Sequence, residues 1–391
     1  MSVPHIYLIN LESRPDRLRR MLRRLQHHNL LSQTTVIKAV TLVDAVVEEF
    51  YGKGIDLNSH PGIDRFASFR GHIACHASHL KALRQMIADK REEAIIMEDD
   101  GMLHNNFAEL YQQCRANLNS QNSHNSRFTI MMLFYNVHGF SGPNALCNHI
   151  DKDNKDNKDN KDNKDNKDNK DNKDNDIKWV GKNPNLKNLI SMPNRPIDFT
   201  TGYVISREYA AECLFKYDKP FCEYEAQYLD NKYNITSEFI TKYSGGVLVH
   251  PVLIIEEPFV SSDLRSNAGY NEVIVNLFDM KDFIMAETPS WRALLEGRRL
   301  HRDEKHMEAY ATMKNINIDE LCSYQKYAYL DIALISYYYA NQRDKVNQII
   351  DKLFELYRTD FIVRRCVNAN LTRVMNNVKF YKPDINFIKI D

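Results

Sequence analysis

The chain has 391 residues, 43% of them hydrophobic, which suffices for two to three domains with real cores. Its 52 Lys and Arg are matched by 52 Asp and Glu, and this balance excludes the basic excess of a protein that coats nucleic acid. No run approaches the roughly 18 apolar residues of a membrane-spanning helix, and the first dozen residues turn polar too soon for a secretory signal. The seven cysteines are scattered without a CxxC pair, so reduced thiols in a cytoplasmic protein are expected, with the endoplasmic reticulum lumen the lesser reading. In chain order, Ile6–Leu11 reads as a short apolar strand, and residues 15–28 as a basic helix with Leu18, Met21, Leu22 and Leu25 at helical spacing. Thr35–Val40 reads as a second strand and Gly71–Lys90 as a helix. Ala94–Met97 is a buried-looking strand that runs into Glu98-Asp99-Asp100, and Phe128–Phe134 is a further apolar run. Phe199–Ile205 reads as a strand, Arg207–Phe215 as a helix, and Val247–Ile255 as a last strand run. This alternation predicts an α/β domain with a mostly parallel central sheet.

Two segments stand apart. From Asp151 to Asp176 the chain repeats Asp-Asn-Lys with no apolar residue, which predicts a disordered, low-complexity loop insertion. Setting it aside leaves 44 basic and 42 acidic residues, so the charge balance belongs to the rest of the chain. From about residue 282 strand signals vanish, and the chain is expected to divide into 1–281, the α/β domain, and 282–391, an all-helical region. There Leu330–Ala340 and Asp344–Leu356 read as a helical hairpin around Asn341-Gln342-Arg343, with Ile332, Ile335 and Tyr339 facing Val346, Ile349, Ile350 and Leu353. The helices either cap the first domain or bind a protein partner.

Chemistry concentrates at Glu98-Asp99-Asp100. Ligands bind at strand ends in open α/β sheets, and three adjacent carboxylates repel unless a cation or a set of donors compensates. A hard divalent metal held by carboxylate and phosphate oxygens is a natural compensator, while a helix cap or solvated turn is the plain alternative. The loop Asn10-Leu11-Glu12-Ser13-Arg14-Pro15-Asp16-Arg17 leaves the first strand and opens an Arg-rich helix, a good place for a nucleotide phosphate. Arg19, Arg20, Arg23 and Arg24 extend the charge, which is what a solvated basic face also looks like. His72, His76 and His79 share roughly one helix face, but the Glu of an HExxH zinc motif is missing, and Cys75 has no evident dyad partner.

Six short segments, taken together and in order, resemble family 25 of the glycosyltransferases, which includes lipo-oligosaccharide and collagen galactosyltransferases. They are Ile6–Leu11 with Arg14 and Arg17, Lys38-Ala39-Val40 through Asp44, and Gly71-His72-Ile73-Ala74-Cys75 through Ser78-His79. Ile95–Asp100, Thr201-Gly202-Tyr203-Val204-Ile205-Ser206 and Ser262-Asp263-Leu264 follow. The resemblance implies a GT-A (Rossmann-like) fold and a UDP-sugar donor. It also implies a divalent metal, typically manganese, and inverting transfer of galactose or glucose to a glycan or to hydroxylysine in a collagen-like protein. It places Asn10, Arg14, Arg17, Ser78, His79, Glu98 and Asp99 near the nucleotide sugar, with Asp100 and Glu98 on the metal, although His79 also reads as a core residue. His250, at the end of the strand run Val247-Leu248-Val249, is a candidate late metal ligand. The base falls to Glu223 or Glu225, where the family's Pro-x-Asp pattern is replaced by Pro220-Phe221-Cys222-Glu223. A nucleotide-sugar hydrolase and a non-catalytic scaffold are the rival readings.

Overall fold

The sheet is built on Ile6-Tyr7-Leu8-Ile9, a run apolar on both faces because both faces are covered. In the computed structural model residues 2–41, 63–121, 129–134, 136–137, 188–191, 197–198, 201–217, 246–258, 280–369, 374 and 376–378 are described. They fall into two compact units, one running to Glu257 together with the 280–283 turn, the other formed mainly by residues from 284 onward.

In the first unit β1 (His5–Asn10) leads to α1 (Pro15–His27) and β2 (Thr34–Lys38), then α2 (Ile63–Ala88) and β3 (Glu93–Glu98). Next come β4 (Gly101–Leu103), α3 (Phe107–Gln121), β5 (Ile130–Met132), β6 (Asn136–Val137), β7 (Leu189–Ser191) and β8 (Ile197–Asp198). β9 (Gly202–Ser206), α4 (Arg207–Tyr217), β10 (Val247–Val249) and β11 (Ile254–Glu256) complete it. Seven strands form one sheet in the order β2-β1-β3-β9-β5-β10-β7. β1 is parallel to β2 and β3, and β10 to β5, whereas β9 runs antiparallel between β3 and β5, and β7 antiparallel beside β10. Five strands therefore share one direction, as the alternation predicts for an α/β domain, and the architecture agrees with the GT-A-like fold that the resemblance implies. The two reversed strands are not legible in alternation, because strand direction is set by the path of the connections. α2 begins at Ile63, eight residues before the expected start.

The Val247–Ile255 run is two strands rather than one. The chain breaks at His250-Pro251, where Pro brings no amide hydrogen, and β11 leaves the main sheet to pair antiparallel with β4. Gly202 opens β9 because the Ile254 side chain occupies the space that its Cβ would fill. The Asp-Asn-Lys tract, 151–176, lies outside the described residues.

The second unit is helical: α5 (Pro289–Arg302), α6 (His306–Met313), α7 (Ser323–Tyr339), α8 (Arg343–Thr359) and α9 (Phe361–Ala369). Pro289 stands at the first position of α5, and Thr288 caps it by accepting from the Trp291 amide at 3.3 Å. Asn341 turns the chain between α7 and α8 at φ 57°. Ile332, Val346, Ile349, Ile350 and Leu353 are buried as the hairpin reading expects. Tyr339 is not: it is 60% exposed and stacks on His306 with ring centroids 4.6 Å apart, while Tyr337 takes the interior. Among the described residues no helix is long and apolar enough to cross a membrane.

Candidate active site

Parallel pairing of β1 with β3 places Ile9 opposite Glu98, so both strands end at one edge of the sheet. Asn10 and the turn Asp99-Asp100 therefore come together. The Asn10 Nδ2 amide donates to Asp99 Oδ2 at 2.6 Å and to the Arg14 carbonyl at 3.2 Å. Arg17 Nη1 donates to Asp99 Oδ1 at 3.1 Å and lies 3.5 Å from Asp100 Oδ2. Arg17, Arg20 and Arg24 recur at spacings of three and four, which puts them on one face of α1. That face is turned inward rather than solvated: Arg17 and Arg24 are buried, and Arg19 is exposed.

Glu257, just past β11, meets this face. Its Oε1 is 3.2 Å from Arg20 Nε and its Oε2 3.0 Å from Arg24 Nη2, and Arg24 Nη1 donates to the Gly101 carbonyl at 2.8 Å. The Glu257 amide in turn donates to the Asp100 carbonyl at 2.6 Å. Glu256 and Glu257 are the site residues that sequence reasoning missed. The signal was present, since Leu253-Ile254-Ile255-Glu256-Glu257 repeats the apolar-then-acidic pattern of Ile95–Asp100.

The carboxylates divide into two kinds. Burial alone would raise the Glu257 pKa, but the guanidinium groups of Arg20, Arg24 and Arg17 hold it below its ordinary value. Burial pushes Asp100 well above the ordinary range; Arg17 opposes this, while Glu98, Glu256 and Asp99 add to it. Asp99 is also raised by burial, against the pull of Arg17 and Asn10. Asp100 Oδ1 is buried and has no hydrogen-bond partner among the described residues. Among the described residues five acidic side chains, Glu98, Asp99, Asp100, Glu256 and Glu257, thus gather with three guanidinium groups, which they outnumber by two.

Glu98 faces the other way, toward α2. His79 Nε2 lies 3.3 Å from Glu98 Oε1, and His79 Nδ1 3.0 Å from the Tyr203 hydroxyl, with the two rings stacked. The Ser78 hydroxyl accepts from the Val40 amide at 2.8 Å and donates to the Ala74 carbonyl at 2.7 Å. Arg14 pairs with Asp16 at 3.2 Å. His250 follows β10, and its amide donates to the Asn188 carbonyl at 3.0 Å. Among the described residues the group whose Cys, His or carboxylate ligand atoms all lie within 4.8 Å is Cys75, His79 and Glu98, which includes neither Asp100 nor His250. Glu223, Glu225 and Ser262-Asp263-Leu264 lie outside the described residues.

The sequence profile of glycosyltransferase family 25 (LPS biosynthesis protein) matches residues 3–229. The chain belongs to glycosyltransferase family 25. One stretch of 123 residues is 29% identical to procollagen galactosyltransferase 2 of Homo sapiens, covering 30% of this chain and 19% of that protein. A stretch of 112 residues is 31% identical to procollagen galactosyltransferase 2 of Mus musculus, covering 27% of this chain and 17% of the relative. The match therefore spans about a fifth of the length of these relatives. The family 25 match takes in Asn10, Arg17, the acidic turn, His79 and Tyr203, and it stops short of Glu256 and Glu257.

Proposed function

We propose that this family 25 protein is a glycosyltransferase that moves a hexose, galactose or glucose, from a UDP-sugar to a hydroxyl with inversion. The acceptor is a glycan or hydroxylysine in a collagen-like protein, a reading supported by the family and by the names of the two relatives. The observation that carries the chemistry is Asp100 Oδ1, a buried carboxylate oxygen with no partner among the described residues, in a cluster where carboxylates outnumber guanidinium groups. That donor set fits a hard divalent cation such as manganese, with Asp100 as its main protein ligand and Glu98 and His250 as further ligands. When bound, the cation supplies Lewis-acid neutralisation of the leaving nucleoside diphosphate.

The chain's own residues do the rest. Asn10 and Arg17 fix the Asp99 side chain, which holds the turn and so aims Asp100. Arg14 stands at the mouth of the β1–α1 loop, within reach of an anionic donor. Glu223 or Glu225 takes the acceptor proton as general base. The test is UDP release from UDP-galactose and UDP-glucose, with and without acceptor. A transferase releases UDP much faster when acceptor is present, and Asp100→Asn lowers that rate by about 10²–10³. Acceptor-independent release identifies a hydrolase, and near-normal turnover in a folded Asp100→Asn protein refutes the assignment of Asp100.

A further inference from the structure

Cys75, His79 and Glu98 gather next to the acidic turn, and of the three only Glu98 enters the proposed reaction. Cys75 and His79 are one helical turn apart on α2, so their side chains project from the same face. Glu98 closes the set from the end of β3, and the thiol, imidazole and carboxylate ligand atoms all lie within 4.8 Å of one another. Cys75 is not in a disulfide, and His79 is buried. The imidazole already has the second contact that metal-bound histidines use, since Tyr203 holds Nδ1 at 3.0 Å and leaves Nε2 directed at Glu98.

We propose that Cys75, His79 and Glu98 form a site for a thiophilic d¹⁰ cation of the zinc class, which shares Glu98 with the hard-cation site at Asp100 but adds a sulfur and a nitrogen ligand of its own. The donor set is one sulfur, one nitrogen and one oxygen. Hard cations such as magnesium and manganese favour all-oxygen surroundings, whereas zinc accepts all three donor types and commonly takes three protein ligands with a fourth position open. Around zinc, bond lengths near 2.0–2.3 Å place ligand atoms roughly 3.5 Å apart, so closing the site takes about an ångström of side-chain movement. Binding exchanges the thiol proton of Cys75 for the metal and releases it to solvent, with no change of oxidation state. Tyr203 is a positioning residue that fixes the imidazole and does not touch the ion. Because Glu98 borders both sites, zinc at the inner one holds this carboxylate away from the acidic turn. Of the histidine triplet His72, His76 and His79, which the sequence spacing singles out, His79 enters this group, and the His72 side chain lies outside the described residues.

The test uses the full chain stripped of metal and needs no turnover. Zinc affinity is measured by competition with a chromophoric chelator, and cobalt(II) serves as a coloured probe of thiolate ligation. The expected result is one zinc per chain, displaced protons, and a thiolate-to-cobalt charge-transfer band. Cys75→Ser abolishes the band and weakens zinc by more than ~100-fold, beyond the range of a second-contact change. Tyr203→Phe weakens zinc by about 10–100-fold and keeps the band. Asp100→Asn leaves both the band and the zinc affinity unchanged. Circular dichroism confirms that each variant is folded. The proposal is overturned if the wild type shows no charge-transfer band. It is also overturned if a folded Cys75→Ser protein binds zinc as the wild type does, or if Asp100→Asn rather than Cys75→Ser removes binding.

Discussion

Replacing Glu257 by Gln tests the division of the acidic cluster most directly. Glu257 is fully buried and Arg24 nearly so, and the amide removes the carboxylate that two guanidinium groups share where water cannot reach them. Arg20 keeps Asp16 at 3.2 Å, so the loss falls mainly on Arg24. Removing one partner of a buried ion pair costs about 3–5 kcal/mol. At roughly 2–4 °C per kcal/mol for a unit of this size, the melting transition of the sheet unit should fall by roughly 6–20 °C. Asp100→Asn is the same chemical change in the adjoining turn and should behave oppositely. Its carboxylate has Arg17 only at 3.5 Å, and burial disfavours its charge, so the metal-free protein should be unchanged or more stable. Scanning calorimetry at neutral pH with a chelator present measures both. Equal losses in the two variants, or a Glu257→Gln loss under about 1 kcal/mol, would show that the arginine face does not discriminate between the carboxylates.

Other expectations follow from packing and titration. Gly202→Ala should destabilise the sheet unit by about 1–3 kcal/mol because the new methyl meets Ile254, and Ile254→Val in the same chain should recover part of the loss by removing the clashing methyl. Burial, with His306 and Arg298 nearby, pushes the His301 pKa down to about 4 from 6.5. The unfolded chain therefore binds the extra proton, and the helical unit's stability is present above pH 6.5 and declines as pH falls toward 4, a slope that His301→Asn should flatten in melting curves. Deleting 151–176 shortens the connection between β5 and β7 by nearly half, a change in closure entropy of only about 0.5 kcal/mol, so transfer and melting temperature should stay near wild type.

Much of the fold was legible where a single physical signal dominated. β1 and β3 are apolar runs bounded by polar residues, and α1 begins at Pro15, which suits a first helical turn. The three-residue strands β4 and β7 were missed and β10 and β11 were read as one run, because period-two alternation cannot be established over three positions. α3 was passed over although Phe107, Tyr111, Cys114 and Leu118 recur at helical spacing and are buried. At the site, Asn10, Arg17 and the acidic turn were found because β1 and β3 are the strands that read most clearly. β3 ends at Glu98 and Asp99-Asp100 is a turn, so the two-residue period of an extended strand does not extend to them. Glu256 ends, and Glu257 follows, a strand whose partner, β4, could not be read, and pairing across about 150 residues is invisible to local pattern.

The antiparallel strand at the heart of the sheet governs how the molecule can be made. β9 joins β3 to β5, yet it is synthesised some seventy residues after β5. Until residue 206 has left the ribosome, β2, β1 and β3 can pair only among themselves, with β3 a bare edge, and β5, whose neighbours are β9 and β10, has no partner. Such edges are templates for pairing with other chains. The Asp-Asn-Lys tract, 151–176, is translated within that interval, and this charge-rich stretch has no apolar residue to offer a bare edge.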